Sequence, residues 1–282
     1  MAGARMYRAT VQSIPHNAWT ALIGSATRWD DGPMWAAANP ARLTTTASGL
    51  HVVGADVGFA PNGTGGRWAR VRQGTDVRYM AMCAQAPEAG TECSLTPSTL
   101  VNVTAGDYYA AELYQTSGAA LNTATAGAPF AADLHLTSLG AQATGARAEA
   151  AVAQSIPNAA WTQVALDAAL FDTGSPAMVD LAGDKLVAPS DGTYALWAGA
   201  YLAAAAGVVA PLNLAIRFDG LTYGQSAPGT SAGSWTAWSV TTTFVLRAGQ
   251  EVTAWIYQGS GAARLLDVAE LRPYLAMARI GP

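Results

Sequence analysis

Charge is what this chain has least of. Asp, Glu, Lys and Arg supply 12% of its 282 residues, about half the usual share of roughly 25%. A surface so poor in charge is commonly covered by other protein, which points to an assembly. Lys185 is the only lysine, the net charge is −4, and no stretch gathers arginines into a basic stripe. Phosphate neutralisation therefore has nothing to work with, and nucleic-acid partners are not expected. Long apolar runs are missing too. The most apolar stretch, 194–214, is broken by Gly199, Gly207, Pro211 and Asn213, whereas a membrane helix needs about 20 apolar residues in a row. The first ten residues lack the apolar core of an export signal, so a soluble protein made in a cytoplasm, with no membrane insertion, is expected.

Chemistry-bearing residues are equally scarce. The three histidines, His16, His51 and His135, fall in different elements at no metal-ligand spacing. No His-Glu-x-x-His pair and no phosphate-binding glycine loop is present. The expectation is a protein that is not an enzyme and holds no metal and no cofactor. Calcium stays open at Asp30-Asp31 and at Asp167 and Asp172, although it needs six to eight oxygens. Cys83 and Cys93 are the only cysteines. Bonded, they would close a Pro/Gly-rich loop and stabilise it by roughly 2–3 kcal/mol, which suits a particle that leaves the cell. Two thiols are the alternative.

What the sequence does have is an echo of itself. The nonapeptide QSIPHNAWT at 12–20 returns as QSIPNAAWT at 154–162, seven of nine positions identical at an offset of 142 (154 less 12). Gly3-Ala4-Arg5 matches Gly145-Ala146-Arg147 at the same offset, and Tyr114-Gln115 matches Tyr257-Gln258 at 143. A register held within one residue marks matched elements, with length changes confined to loops. The chain thus reads as two modules, 1–141 and 142–282, each long enough to bury a core. His16 becomes Asn158 in the second copy and His51 becomes Tyr194, swaps that argue against shared chemistry.

The helix formers Glu, Lys, Leu and Gln are sparse, while Thr, Val, Tyr, Trp and Gly abound. Short alternating runs between turn clusters predict strands near 6–13, 20–23, 42–45, 49–60, 67–72, 78–82, 98–103, 107–115 and 130–136. The second module repeats them near 148–155, 163–166, 185–187, 192–203, 212–218, 235–240, 242–246, 251–258 and 273–280. Many short strands at regular spacing argue an antiparallel sandwich or barrel. In 107–115, Tyr109, Ala111 and Leu113 form one apolar face, and Tyr108 and Tyr114 stand on the other. The second copy sets Trp255 and Tyr257 on that outer face. Large amphipathic rings there ask for a partner, or else cap the sandwich edge.

Two segments look like binding loops. Arg28-Trp29-Asp30-Asp31 with Trp35, and Arg67-Trp68 after Gly65-Gly66, set Trp beside Arg or Asp among Gly and Pro. Such groupings offer stacking surfaces to sugars or proteins. Trp29 and Trp35 are equally suited to anchoring their loop on the sandwich.

Taken together, the Gln-Ser-Ile-Pro…Trp-Thr run, the Gly-led strands at Gly49 and Gly192, the Ala-Gly pairs at 105–106 and 248–249, and Tyr-Gln-x-Ser-Gly carry a family likeness. The chain resembles the complement/tumour-necrosis-factor-like jelly roll in the form found in bacteriophage virion proteins, over almost its whole length. The resemblance implies an all-β fold of two tandem antiparallel jelly rolls. It implies a homotrimer, with Tyr108, Tyr114, Trp255 and Tyr257 as candidates for the threefold contact. It also implies a non-enzymatic virion structural protein, exposed on the mature particle and touching other virion proteins. Two roles fit: a tail-fibre or tail-tip component recognising a host-surface glycan or protein, or a capsid decoration protein or head fibre on a local threefold. The absence of a collagen-like or coiled-coil stalk weighs against a long fibre.

Overall fold

The computed structural model describes residues 2–74, 79–85, 90–124, 132–203, 211–226, 236–269 and 271–282. The chain falls into two compact units, Met1–Gly140 and Ala141–Pro282.

In the first unit the strands are β1 (Gly3–Tyr7), β2 (Ser13–Ile14), β3 (Thr20–Ala21), β4 (Ala26–Asp30), β5 (Leu43–Thr44) and β6 (Gly49–Phe59). There follow β7 (Arg67–Gln73), β8 (Tyr79–Gln85), β9 (Cys93–Leu95), β10 (Ser98–Val103), β11 (Tyr108–Gln115), β12 (Leu121–Asn122) and β13 (Asp133–Ser138). One sheet runs β10-β6-β13-β1-β4, with β9 also on β6; the other runs β3-β11-β7-β8, with β5 also on β11; β12 and β2 form a short ribbon. Met6, Val53, Val57, Val71, Leu113 and Leu134 fill the core from both sheets.

The second unit carries β14 (Gly145–Glu149), β15 (Gln154–Ile156), β16 (Ala160–Gln163), β17 (Ala168–Asp172), β18 (Val179–Asp180), β19 (Lys185–Val187) and β20 (Gly192–Leu202). Then come β21 (Leu212–Phe218), β22 (Leu221–Ser226), β23 (Thr236–Leu246), β24 (Glu251–Gln258), β25 (Arg264–Leu266) and β26 (Tyr274–Gly281). Here β23-β20-β26-β14-β17 answers β10-β6-β13-β1-β4, and β16, β24, β21 and β22 answer β3, β11, β7 and β8. Every strand pairing among the described residues is antiparallel, and each unit is a jelly-roll sandwich. Its core holds Tyr194, Leu196, Ile216, Ile256, Leu275 and Met277.

Period-2 alternation is the reason these segments are strands. In β11 it buries Tyr109, Ala111, Leu113 and Gln115, and in β24 Val252, Ala254, Ile256 and Gln258. Several expected strands move. The first begins at Gly3, and residues 8–12 leave it before β2; likewise 148–155 divides into the end of β14 and the start of β15. Alanine-rich openings carry too little hydrophobic contrast to mark where pairing begins. The two runs expected at 235–240 and 242–246 are one strand, β23, paired along all of β20. The expected starts at Arg78, Phe130 and Trp235 lie outside the described residues.

Both glutamines of the echoed motifs work as ties. Gln115 Nε2 donates to the Ile14 carbonyl at 3.0 Å and the Ala119 carbonyl at 2.8 Å, while its Oε1 accepts from Ser117 N at 2.7 Å. Gln258 makes the same three bonds to Ile156, Ala262 and Ser260. The His16/Asn158 swap has an equally local cause. Gly118 N donates to His16 Nδ1 at 3.0 Å, and Gly261 N to Asn158 Oδ1 at 2.7 Å. Both residues serve as acceptors that close the same turn.

Candidate functional site

On the outer face of β7, β8 and β11, rings and guanidinium groups interleave. Arg70 sits 3.6 Å over the Trp19 ring and 3.6 Å over that of Tyr79. Its Nη2 pairs with Glu112 Oε2 at 2.8 Å, and Arg72 Nε reaches Glu112 Oε1 at 2.7 Å. Tyr114 meets Trp19 at 5.1 Å and, edge-on, Trp68 at 5.2 Å, and its hydroxyl donates to Asn17 Oδ1 at 2.7 Å. Arg42 covers the Tyr108 ring at 4.4 Å.

The second unit builds a leaner version on β16, β21 and β24. Register equates Arg72 with Arg217, Glu112 with Trp255, and Tyr114 with Tyr257. Arg217 lies 4.4 Å over Trp161 and 4.7 Å over Trp255, and Trp161 meets Tyr257 at 5.6 Å. Trp255 Nε1 donates to Thr253 Oγ1 at 2.9 Å. Burial lowers the pKa of Arg217, so an anion on this guanidinium would regain what desolvation costs it.

Beside that stack opens a cleft of about 790 Å³, lined among others by Arg217, Asp219, Arg247, Gln250, Glu251 and Trp255. Two hairpin turns frame it, one between β21 and β22 and one between β23 and β24. Gln250 holds the turns together: its Nε2 donates to Asp219 Oδ2 at 2.7 Å, and its Oε1 accepts from Arg247 N at 2.7 Å. Asp219 and Gly220 both take left-handed backbone conformations, φ 48° and 74°, which makes the β21–β22 turn tight. Sequence reading missed this cleft, because its groups come from two turns and a strand face about thirty residues apart along the chain.

The loops expected to bind are placed differently. Residues 28–30 belong to β4, an edge strand paired with β1, and are not a loop. Arg28 covers the Tyr7 ring at 4.9 Å. Trp29 lies across Gly3, where a Cβ would come within 2.6 Å of its ring, and keeps an exposed side. Asp31 N donates to the Gly3 carbonyl at 2.9 Å. Asp30 accepts from Met34 N at 2.8 Å and Trp35 N at 3.0 Å, so its carboxylate folds the turn; Trp35 packs on the core as an anchor. Asp172 holds its own turn in the same manner, through Gly174, Met178 and Val179, and Asp167 accepts from Ala151 and Val152. These carboxylates spend their oxygens on backbone N–H groups.

Arg67 and Trp68 are a correction. Both are buried at the start of β7. Arg67 donates to the carbonyls of Asn62, Thr64 and Gly66, and burial lowers its pKa. A guanidinium so enclosed organises the 62–66 turn and offers nothing to a ligand. Of the two alternatives for the cysteines, the structure carries the thiols. Cys83 pairs across to β7 and Cys93 to β6, strands of different sheets. The Cys93 thiol donates to Gln85 Oε1 at 3.3 Å, and burial pushes its pKa up to about 11. Residues 86–89 of the intervening loop lie outside the described residues.

No protein-family model matches the chain, and no curated protein matches it. Among solved structures, the chain is similar to crystal structures of murine APRIL. That at pH 5.0 aligns with 14% identity over 49% of this chain and 99% of the other, with a TM-score of 0.38. That at pH 8.0 aligns over the same shares with 14% identity and a TM-score of 0.37.

Proposed function

We propose that this chain is a non-enzymatic structural protein of a bacteriophage virion, trimeric on the particle surface, and that its second unit recognises a host-surface glycan. The observation that carries the recognition is the Trp161–Arg217–Trp255 stack beside the 790 Å³ cleft. Sugar rings have apolar faces that settle on indole, and hydroxyl or carboxylate edges that take hydrogen bonds. A Trp flank with Arg217, Arg247, Asp219 and Glu251 around it supplies both kinds of contact. The stack is preorganised within one chain, so little side-chain entropy remains to be lost on binding.

The test is glycan binding by the purified chain together with its block of phage adsorption. Trp255→Ala should weaken glycan binding at least tenfold and abolish the block, while the assembly keeps its mass. The same face was also the candidate threefold contact through Tyr108, Tyr114, Trp255 and Tyr257. A Trp255→Ala protein that falls to single chains would assign the face to subunit packing and remove it from recognition.

A further inference from the structure

We propose that the first unit holds a divalent transition-metal ion, of the zinc class, between Asp56, Asp133 and His135. These residues stand on the outer face of adjacent strands, with Asp133 opposite Asp56 and His135 opposite both Gly54 and Arg5. One ligand atom from each lies within 4.8 Å of the others. Gly54 makes room for the imidazole: a Cβ there would come within 2.6 Å of His135 Nε2.

The second observation is an unspent pair of atoms. Asp133 is 1% exposed, and its Oδ1 has no hydrogen-bond partner; His135 Nδ1 is buried and has none either. They face each other at 3.7 Å, too far for a hydrogen bond. Ligand atoms around a tetrahedral zinc at ~2.1 Å stand about 3.4 Å apart, so the gap suits two ligands of one ion. A buried carboxylate oxygen without a partner is costly, and an ion supplies what the protein leaves out.

Arg5 fixes both carboxylates through their Oδ2 atoms and leaves Asp133 Oδ1 without a hydrogen bond. Its Nη2 meets Asp56 Oδ2 at 2.7 Å and Asp133 Oδ2 at 2.5 Å. That is the orienting role of groups behind metal ligands. Arg5 also places a positive charge nearby, which holds affinity below that of an all-acidic cage. Asp56 and Arg5 are each 33% exposed, which gives an ion its way in from solvent.

The second unit provides an internal control. Register sets Arg147 in the place of Arg5, but Gly199, Tyr274 and Ala276 in the places of Asp56, Asp133 and His135. Arg147 is satisfied there by Glu149 at 2.9 Å and by the Tyr274 ring at 4.0 Å. The fold thus accommodates its arginine without an Asp/Asp/His set. The first unit carries one carboxylate oxygen and one imidazole nitrogen more than the arginine needs.

Zinc titration of the full chain by calorimetry, with cobalt absorption as a readout of a nitrogen/oxygen ligand set, tests this. One ion per chain is expected, with affinity falling at least tenfold in His135→Ala and in Asp56→Asn. Both replaced side chains are partly exposed, so the variants should fold, and circular dichroism checks that they do. His16→Asn serves as a control and should bind as the parent does. No stoichiometric ion, or binding that His135→Ala leaves unchanged, overturns the proposal.

Discussion

At the scale of single residues, the histidines divide by environment. His51 is fully buried on β6, with Nδ1 at 3.1 Å from the Gly49 carbonyl and no partner for Nε2. Burial lowers its pKa, and the Gly49 carbonyl only partly opposes that. The folded chain therefore keeps His51 neutral, whereas the unfolded chain takes up a proton near pH 6.5. Below that pH the unfolded state binds the extra proton, so stability falls as pH falls. Melting temperature should drop from about pH 7.5 to about pH 5, and less steeply in His51→Gln, which carries no titrating group. An equal slope in the variant would show that His51 is not the group responsible. The swap of His51 for Tyr194 in the echo sits in the same buried setting: Tyr194 is fully buried and donates its hydroxyl to the Ser190 carbonyl at 2.8 Å.

At the scale of elements, the repeated motif is scaffold. Gln115 on β11 joins β2 to the turn after β11, and Gln258 on β24 joins β15 to its counterpart. Replacing Gln115 by Ala removes three hydrogen bonds and strands two carbonyls, a cost of about 3 kcal/mol. Gln258→Ala should cost a similar amount, because the geometry is the same. Urea unfolding of both variants measures it, and a loss below ~0.5 kcal/mol in either would show that the tie is ornamental.

That reuse explains what the sequence made legible. Strands at 98–103, 185–187, 212–218 and 251–258 fall where β10, β19, β21 and β24 lie, since each alternates clearly or is closed by a turn. β4 and β17 went unseen: Ala26–Asp30 and Ala168–Asp172 are edge strands without a buried face to set a period. Arg67 and Trp68 read as surface because Arg and Gly usually are, and nothing local announces a guanidinium enclosed by three carbonyls. The Asp56, Asp133 and His135 cluster stayed hidden because pairing of β6 with β13 spans more than seventy residues of chain.

For the whole molecule, the shortage of charge meets a shortage of cover. The second unit leaves Val152 69%, Val245 67%, Leu221 60% and Leu265 51% exposed, while the large apolar residues most exposed in the first are Val11 at 39% and Trp29 at 37%, all among the described residues. Scattered apolar side chains are ordinary on a monomer, but with 12% charge there is little beside them to hold water. Association driven by such a surface is apolar, so screening should not loosen it, and excluded salts such as sulfate should tighten it. Light scattering is expected to give three times the 28.9 kDa chain mass, unchanged from low to high salt. Val245→Glu sets a charge on one of the most exposed apolar positions and should leave circular dichroism as it was; a mass that shifts toward one chain would place Val245 in the contact. A single-chain mass for the parent protein at micromolar concentration would dispose of the trimer, and a trimer that dissolves in salt would mean its contacts are ionic.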